Sequence, residues 1–370
     1  MDFALSDDQE EIRALAARIF GDLASHDRLR DTEAADERFD RRLWSELASA
    51  GLLGLGLPEE LGGAGLGFLE TCIVLEEAGK APAGVFALLG TLVMGAAPLR
   101  RFGSDALKRR WLARVAAGEV VLSAALGEAA LADGPPGLPV AAAKVEGGWM
   151  LEGVASNVPA GMLAEAVIVP ARVSPAGPVG LFVVETDAPG VTRRRQDTTS
   201  GYPEALLELD GCFVDAGSLV SDDPAALVWV LERAMAAGCI VQSGCCQAAL
   251  ALTARYTSER EQFGKAIATF QAVGQRAADA YVDTEGVRLT AWQAAWRLAE
   301  GLPASEEVAV AKFWADDGAQ RVVHAAQHLH GGVGVDRDYP LHRYYLLTKQ
   351  LAVTLGGATR SLLRLGELMA

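Results

Sequence analysis

The chain has 370 residues, 51% of them hydrophobic and 22% charged, a balance that suits a globular fold with a substantial core. Its formal net charge of −15 argues against a nucleic-acid partner, which needs concentrated Lys and Arg, and gives no support to a membrane-surface role. The cysteines (Cys72, Cys212, Cys239, Cys245 and Cys246) are odd in number and sit in apolar segments, so buried free thiols in a reducing cytoplasm are expected.

The opening MDFALSDDQEEIRALAARIF is an amphipathic helical pattern with acids in its first turn, unlike a signal peptide. No run approaches the roughly 18 uncharged apolar residues of a membrane span. Residues 1–120 read as a helical amino-terminal domain. Leu43, Leu47, Leu52 and Leu53 recur at helical spacing, and the glycine-rich loop LPEELGGAGLG precedes a second helical run, FLETCIVLEEAGKA. Residues 121–222 change character. VEGGWMLEGVA, EAVIVPARV, VGLFVVET and EALLELDGCFV read as strands of a central antiparallel β domain. Turn signals separate them at Glu146-Gly147-Gly148 and Pro175-Ala176-Gly177-Pro178.

Residues 223–370 are helical again and read as a four-helix-type bundle. A long apolar segment from 223 leads to polar TSEREQFGK. Two more long helices follow near 271–299 and 304–328, then a glycine loop at 331–334 and a last helical stretch. The expected class is α+β, mainly α. The short basic clusters Lys108-Arg109-Arg110 and Arg193-Arg194-Arg195 read as solvated faces, with contact to an anionic small molecule as the alternative. The spacing of His324, His328, His330 and His342 offers no zinc site.

Three strings, in order and suitably separated, carry a resemblance. They are LWSELASAGLLGLGLPEELGGAGLGFLETCIVLEEAGKA, YTSEREQFGKAIATFQAV and HLHGGVGVDRDYPLHRYYLLTKQLAVTLGGATRSL. Together they resemble the acyl-CoA dehydrogenase family over essentially the whole chain. The resemblance implies FAD as cofactor and α,β-dehydrogenation of an acyl-CoA thioester, in which a carboxylate takes the α-proton and the flavin takes the β-hydride. It places Arg260 on the FAD pyrophosphate, where a planar guanidinium donates paired, charge-assisted hydrogen bonds. Gln262 and Phe263 match further cofactor contacts. Gly331 and Gly332 match a glycine pair whose backbone approaches FAD from a neighbouring subunit, which the lack of a Cβ permits. The family's Gln ahead of that pair aligns with His328, while Gln327 stands one residue earlier. A cytoplasmic tetramer in lipid metabolism, passing electrons to an electron-transfer flavoprotein, is implied in the same way.

The chain departs from the family at the base. The usual Glu lies in a Tyr-Glu-Gly-Thr-like turn, and the matching Thr354-Leu355-Gly356-Gly357-Ala358 puts Gly356 or Leu355 at its position. Neither accepts a proton. Some members carry the base on the first helix after the β domain, as Glu followed by Arg, and Leu231-Glu232-Arg233 resembles that pattern. Counting back from Arg260, however, falls near Ala234, and two residues turn a helical side chain by about 200°. Glu232 is therefore either the base or a residue facing elsewhere. Around the flavin ring, Asn157 stands near a family Trp, and Val158-Pro159-Ala160 replaces aromatic and hydroxyl groups. These losses resemble a subset acting on steroid side chains, in which two different subunits form an α2β2 tetramer and one can lack the base. A homo- or heterotetramer is thus expected, with this chain either a complete enzyme or a non-catalytic partner. A related flavin reaction on another carbon acid is the remaining alternative.

Overall fold

The computed structural model describes residues 4–131, 138–173 and 178–370. The expected turn at Pro175–Gly177 and the end of ALGEAALADGPPG lie outside them. Helices come first: α1 (Asp7–Leu23), α2 (His26–Ala34), α3 (Arg41–Ser49) and α4 (Phe68–Lys80). Ser6 and Gln9 close α1 with a reciprocal capping box, which satisfies amide groups the first turn would otherwise leave unpaired. The next helix begins as α5 (Val85–Leu88), widens to a π-helical stretch over Leu89–Ala96 and continues as α6 (Ala97–Phe102); α7 (Asp105–Ala116) follows.

The sheet comprises β1 (Leu122–Ala124), β2 (Ala141–Val145), β3 (Gly148–Val158), β4 (Ala166–Arg172), β5 (Val179–Glu185), β6 (Val191–Gln196), β7 (Glu204–Asp215) and β8 (Leu219–Ser221). A short helix, α8 (Gly127–Leu131), follows β1. The strand order is β6-β7-β3-β2-β4-β5-β8, and β1 pairs with β4. The expected antiparallel pairing holds for most neighbours. However, β1 runs parallel to β4, as does β2 at one residue pair, so the sheet is mixed. The chain reaches β4 from β2 through β3, and that excursion lets β2 and β4 point the same way. β6, VTRRRQ, was not expected as a strand. On this outer strand Arg193 is half-buried and Arg194 and Arg195 are exposed, and pairing with β7 overrides a loop-like composition.

The last third contains α9 (Pro224–Glu259), a two-residue-loop hairpin formed by β9 (Glu261–Gln262) and β10 (Lys265–Ala266), and α10 (Gln271–Ala299). α11 (Ser305–Phe313) runs through a π-helical turn into α12 (Ala319–His330), and then come α13 (Leu341–Val353) and α14 (Ala358–Met369). The single expected last helix is thus two, broken where Leu355 and Gly356 adopt positive φ. α4 crosses α9 closely. A Cβ on Gly79 would lie 2.3 Å from the Val241 carbonyl oxygen, and one on Gly244 would lie 2.1 Å from that of Glu76. At this crossing the buried Glu76 carboxylate accepts from Ser243 Oγ (2.8 Å), Gln247 Nε2 (3.0 Å) and Trp292 Nε1 (3.0 Å), tying α4, α9 and α10 together. All five cysteines are buried and free. One expectation needs correction: Val85–Phe102 and Pro224–Glu259 are long and apolar enough to span a membrane by length and composition. Both are mostly buried in the fold, which accounts for their apolarity.

Candidate functional site

Two places gather the residues singled out from the sequence. The first is the end of α9. Arg260 caps that helix, its amide donating to the Tyr256 carbonyl at 2.8 Å. Its exposed guanidinium meets no carboxylate among the described residues. The hairpin then turns through Phe263 (φ 55°) and Gly264 (φ 79°). Both central residues of such a turn need positive φ, which costs an aromatic residue of order 1 kcal/mol or more. Phe263 is nevertheless 92% exposed, with only an edge contact to Phe270. Gln262 is exposed beside it.

The glycine turn stands at the same end of the bundle. Tyr256, one helical turn before Arg260, stacks on His330 with ring centroids 4.3 Å apart. His330 Nδ1 lies 2.7 Å from the Ala326 carbonyl, and Nε2 lies 3.1 Å from Tyr339 Oη. Burial lowers the His330 pKa, against the opposing pull of the Ala326 carbonyl. A neutral ring donating to Ala326 and accepting from Tyr339 satisfies both contacts. Gly331 follows at φ 60° and ψ −137°, a conformation reserved for glycine, and the space where a Cβ would stand is open. Gly331, Gly332 and His328 are exposed, whereas Gln327 is half-buried.

The second place is a cleft of about 420 Å³ between the sheet and the turn joining α13 to α14. Leu355, in left-handed conformation at φ 59°, and Gly356 line it, together with Asn157, Pro159, Glu128 and Glu204. Both candidate base positions therefore do face a cleft, and neither bears a titratable group. Sequence reading missed the acids of this cleft, Glu128, Asp197 and, most buried of them, Glu204. Glu204 stands at the start of a strand, and nothing in the local pattern marks it. Gln350 Nε2 donates to its Oε1 at 2.7 Å. Burial raises its pKa, while hydrogen bonds from Gln350 and Asn157 pull the other way. Glu128 accepts from the Ser156 amide (2.7 Å) and Oγ (2.6 Å).

Glu232 does not line this cleft. It is 9% exposed on α9 and accepts from Ser305 Oγ at 2.5 Å, at the start of α11. The helical offset explains this, since a position near Ala234 points elsewhere around α9. In this structure Glu232 joins α9 to the start of α11 and lies outside the lining of the cleft. Neighbouring Arg233 stacks over Trp229 at 3.8 Å.

The residues at the two places would suit opposite ends of a dinucleotide. At the α9 end, an unpaired guanidinium and an open glycine turn fit a pyrophosphate. At the cleft, Asn157 and Pro159 offer no aromatic wall, while Ser156, Thr198, Thr199 and Thr354 supply hydroxyls. α13 separates the places, and its 13 residues span about 20 Å. Within one chain none of Arg260, Gln262, Phe263, Gly331 and Gly332 lines the cleft.

Residues 6–119 match the family described as Acyl-CoA dehydrogenase, N-terminal domain, and residues 228–365 match Acyl-CoA dehydrogenase, C-terminal domain. The chain is 39% identical to Acyl-CoA dehydrogenase FadE27 of Mycobacterium tuberculosis (strain ATCC 25618 / H37Rv), covering 100% of this chain and 99% of the relative. It superposes on the ChsE4-ChsE5 complex from Mycobacterium tuberculosis with a TM-score of 0.93 and 39% identity, over 100% of this chain and 99% of the other. The FAD complex of PigA gives a TM-score of 0.88 at 25% identity, covering 100% and 99% of the two chains.

Proposed function

The chain belongs to the acyl-CoA dehydrogenase family of FAD-dependent oxidoreductases, and on that footing we propose that it is one subunit of a heteromeric acyl-CoA dehydrogenase. In this reading a second, Glu-bearing subunit supplies the base and the flavin-ring contacts. The carrying observation is the cleft itself. Its two candidate base positions hold Leu355 and Gly356, and the only helical alternative, Glu232, is turned to Ser305.

Bound FAD supplies the hydride acceptor of the reaction. This chain's part is to grip a pyrophosphate with Arg260 and to admit close backbone approach at Gly331 and Gly332. Because none of those groups lines the chain's own cleft, they serve a site completed across a subunit boundary. The heteromeric ChsE4-ChsE5 complex supports such an assembly by likeness. Transfer of electrons to an electron-transfer flavoprotein is part of the proposal by family analogy.

The test is to purify the chain alone and together with a family member that carries the turn Glu. We expect the lone chain to hold substoichiometric flavin that acyl-CoA does not bleach. The pair should carry a full flavin band that bleaches. A lone chain with full flavin and rapid bleaching would overturn the reading. Glu204→Gln and Glu232→Gln would then decide which carboxylate is the base.

A further inference from the structure

A third cleft, of about 520 Å³, lies between the glycine-rich loop, α6 and the first turns of α9. It shares no lining residue with the Leu355 cleft and none with the Arg260 end. Its charged lining residues are Arg100, Arg101, Lys108 and Arg233, with no Asp or Glu among the residues that line it. In a chain of 48 acids and 33 Lys and Arg, four cations facing one cleft without a counter-charge is a directed arrangement.

Each cation is positioned differently. Arg233 is fixed by stacking on Trp229 and by donating through Nη2 to the Leu298 carbonyl at 2.8 Å. Burial lowers its pKa to about 10, the adjacent Glu232 outside the cleft raising it and Arg101 lowering it further, so at neutral pH it remains a cation. Arg100 commits Nη1 to the carbonyls of Gly56 (2.5 Å) and Leu66 (3.1 Å), which fixes it on the glycine-rich loop. Arg101 and half-buried Lys108 have no ion pair or hydrogen bond among the described residues. The floor is apolar, built from Leu52, Leu53, Leu92 and Trp229.

We propose that this cleft binds a diphosphate ester, its phosphates held by Arg101, Lys108 and Arg233 and its organic body laid on Trp229 and the leucines. Guanidinium forks match phosphate oxygens in pairs, and four positive charges suit a diphosphate better than a single carboxylate. The proposal does not depend on whether the chain is catalytic or a partner subunit. A nucleoside diphosphate and an isoprenoid diphosphate present the same charged group, and the binding experiment separates them.

Isothermal titration calorimetry on the full chain tests this, with inorganic pyrophosphate, ADP and geranyl diphosphate as probes. The chain should carry Arg260→Ala, so that the cofactor site does not contribute heat. We expect saturable pyrophosphate binding that weakens with salt and falls by about tenfold or more in the pair Arg101→Glu and Lys108→Glu. Near-ultraviolet circular dichroism would confirm that these surface variants keep the fold. Tighter binding of ADP assigns an aromatic body, and tighter binding of geranyl diphosphate an aliphatic one. In either case Trp229→Leu should weaken the ester more than it weakens pyrophosphate, which keeps Arg101 and Lys108. Absence of heat at millimolar pyrophosphate, binding unaffected by charge reversal, or both esters binding more weakly than pyrophosphate would overturn the proposal.

Discussion

Gly331 shows how a single residue fixes the glycine turn after α12. Its φ of 60° with ψ of −137° is denied to side chains, although nothing lies within 4 Å of where a Cβ would stand. Gly331→Ala should therefore cost about 1–3 kcal/mol of stability through backbone strain alone, measurable by urea unfolding. It should also weaken flavin retention in the assembled complex. The preceding residue gives a pH signature. Above the ordinary value of 6.5, His330 is neutral in both folded and unfolded chains. As pH falls through that value toward the lowered folded-state pKa, the unfolded chain takes a proton that the folded chain resists, so stability is lost. The thermal midpoint should drop between pH 7 and pH 5, and drop less in His330→Gln. Equal slopes in the two proteins would remove His330 from the account.

At the scale of elements, the contact between α4 and α9 depends on the Gly79–Gly244 approach and on the carboxylate of Glu76. Three donors converge on one Glu76 oxygen, from Ser243, Gln247 and Trp292. Glu76→Ala would strand them in a largely buried site, and we expect a loss of about 3 kcal/mol or more in chemical denaturation. Glu232 plays a comparable part on a smaller scale. It joins α9 to the start of α11 through Ser305, so Glu232→Gln should alter stability modestly and leave the activity of an assembled complex nearly unchanged. A collapse of activity with flavin retained would instead restore Glu232 as a base.

The whole molecule carries apolar surface that a single chain leaves uncovered. Tyr281 and Val282 on α10, and Leu362, Leu363 and Met369 on α14, are all more than half exposed, as are Phe263 and Val335 near the Arg260 hairpin and the glycine turn. Exposed apolar groups gathered on the carboxyl-terminal helices point to a subunit contact. Leu363→Glu should shift the assembly toward smaller species in light scattering after size-exclusion chromatography. Flavin should be lost in parallel if the Arg260 end is completed across that contact.

The sequence by itself determined the family, the succession of helices, sheet and helices, and the absence of a titratable group at Leu355 and Gly356. Periodicity and motif identity are local properties, so one chain's residues suffice for them. It also singled out Arg260, Gln262, Phe263, Gly331 and Gly332, through three strings whose residue types match their chemistry. Which way Glu232 points was not legible, because two residues on a helix turn a side chain by about 200° and only packing fixes the phase. Glu204 and the cleft of Arg100, Arg101, Lys108 and Arg233 were likewise decided by tertiary structure. Glu204 and Arg233 lie far along the chain from the residues they join in these clefts, and only the packed fold makes them neighbours.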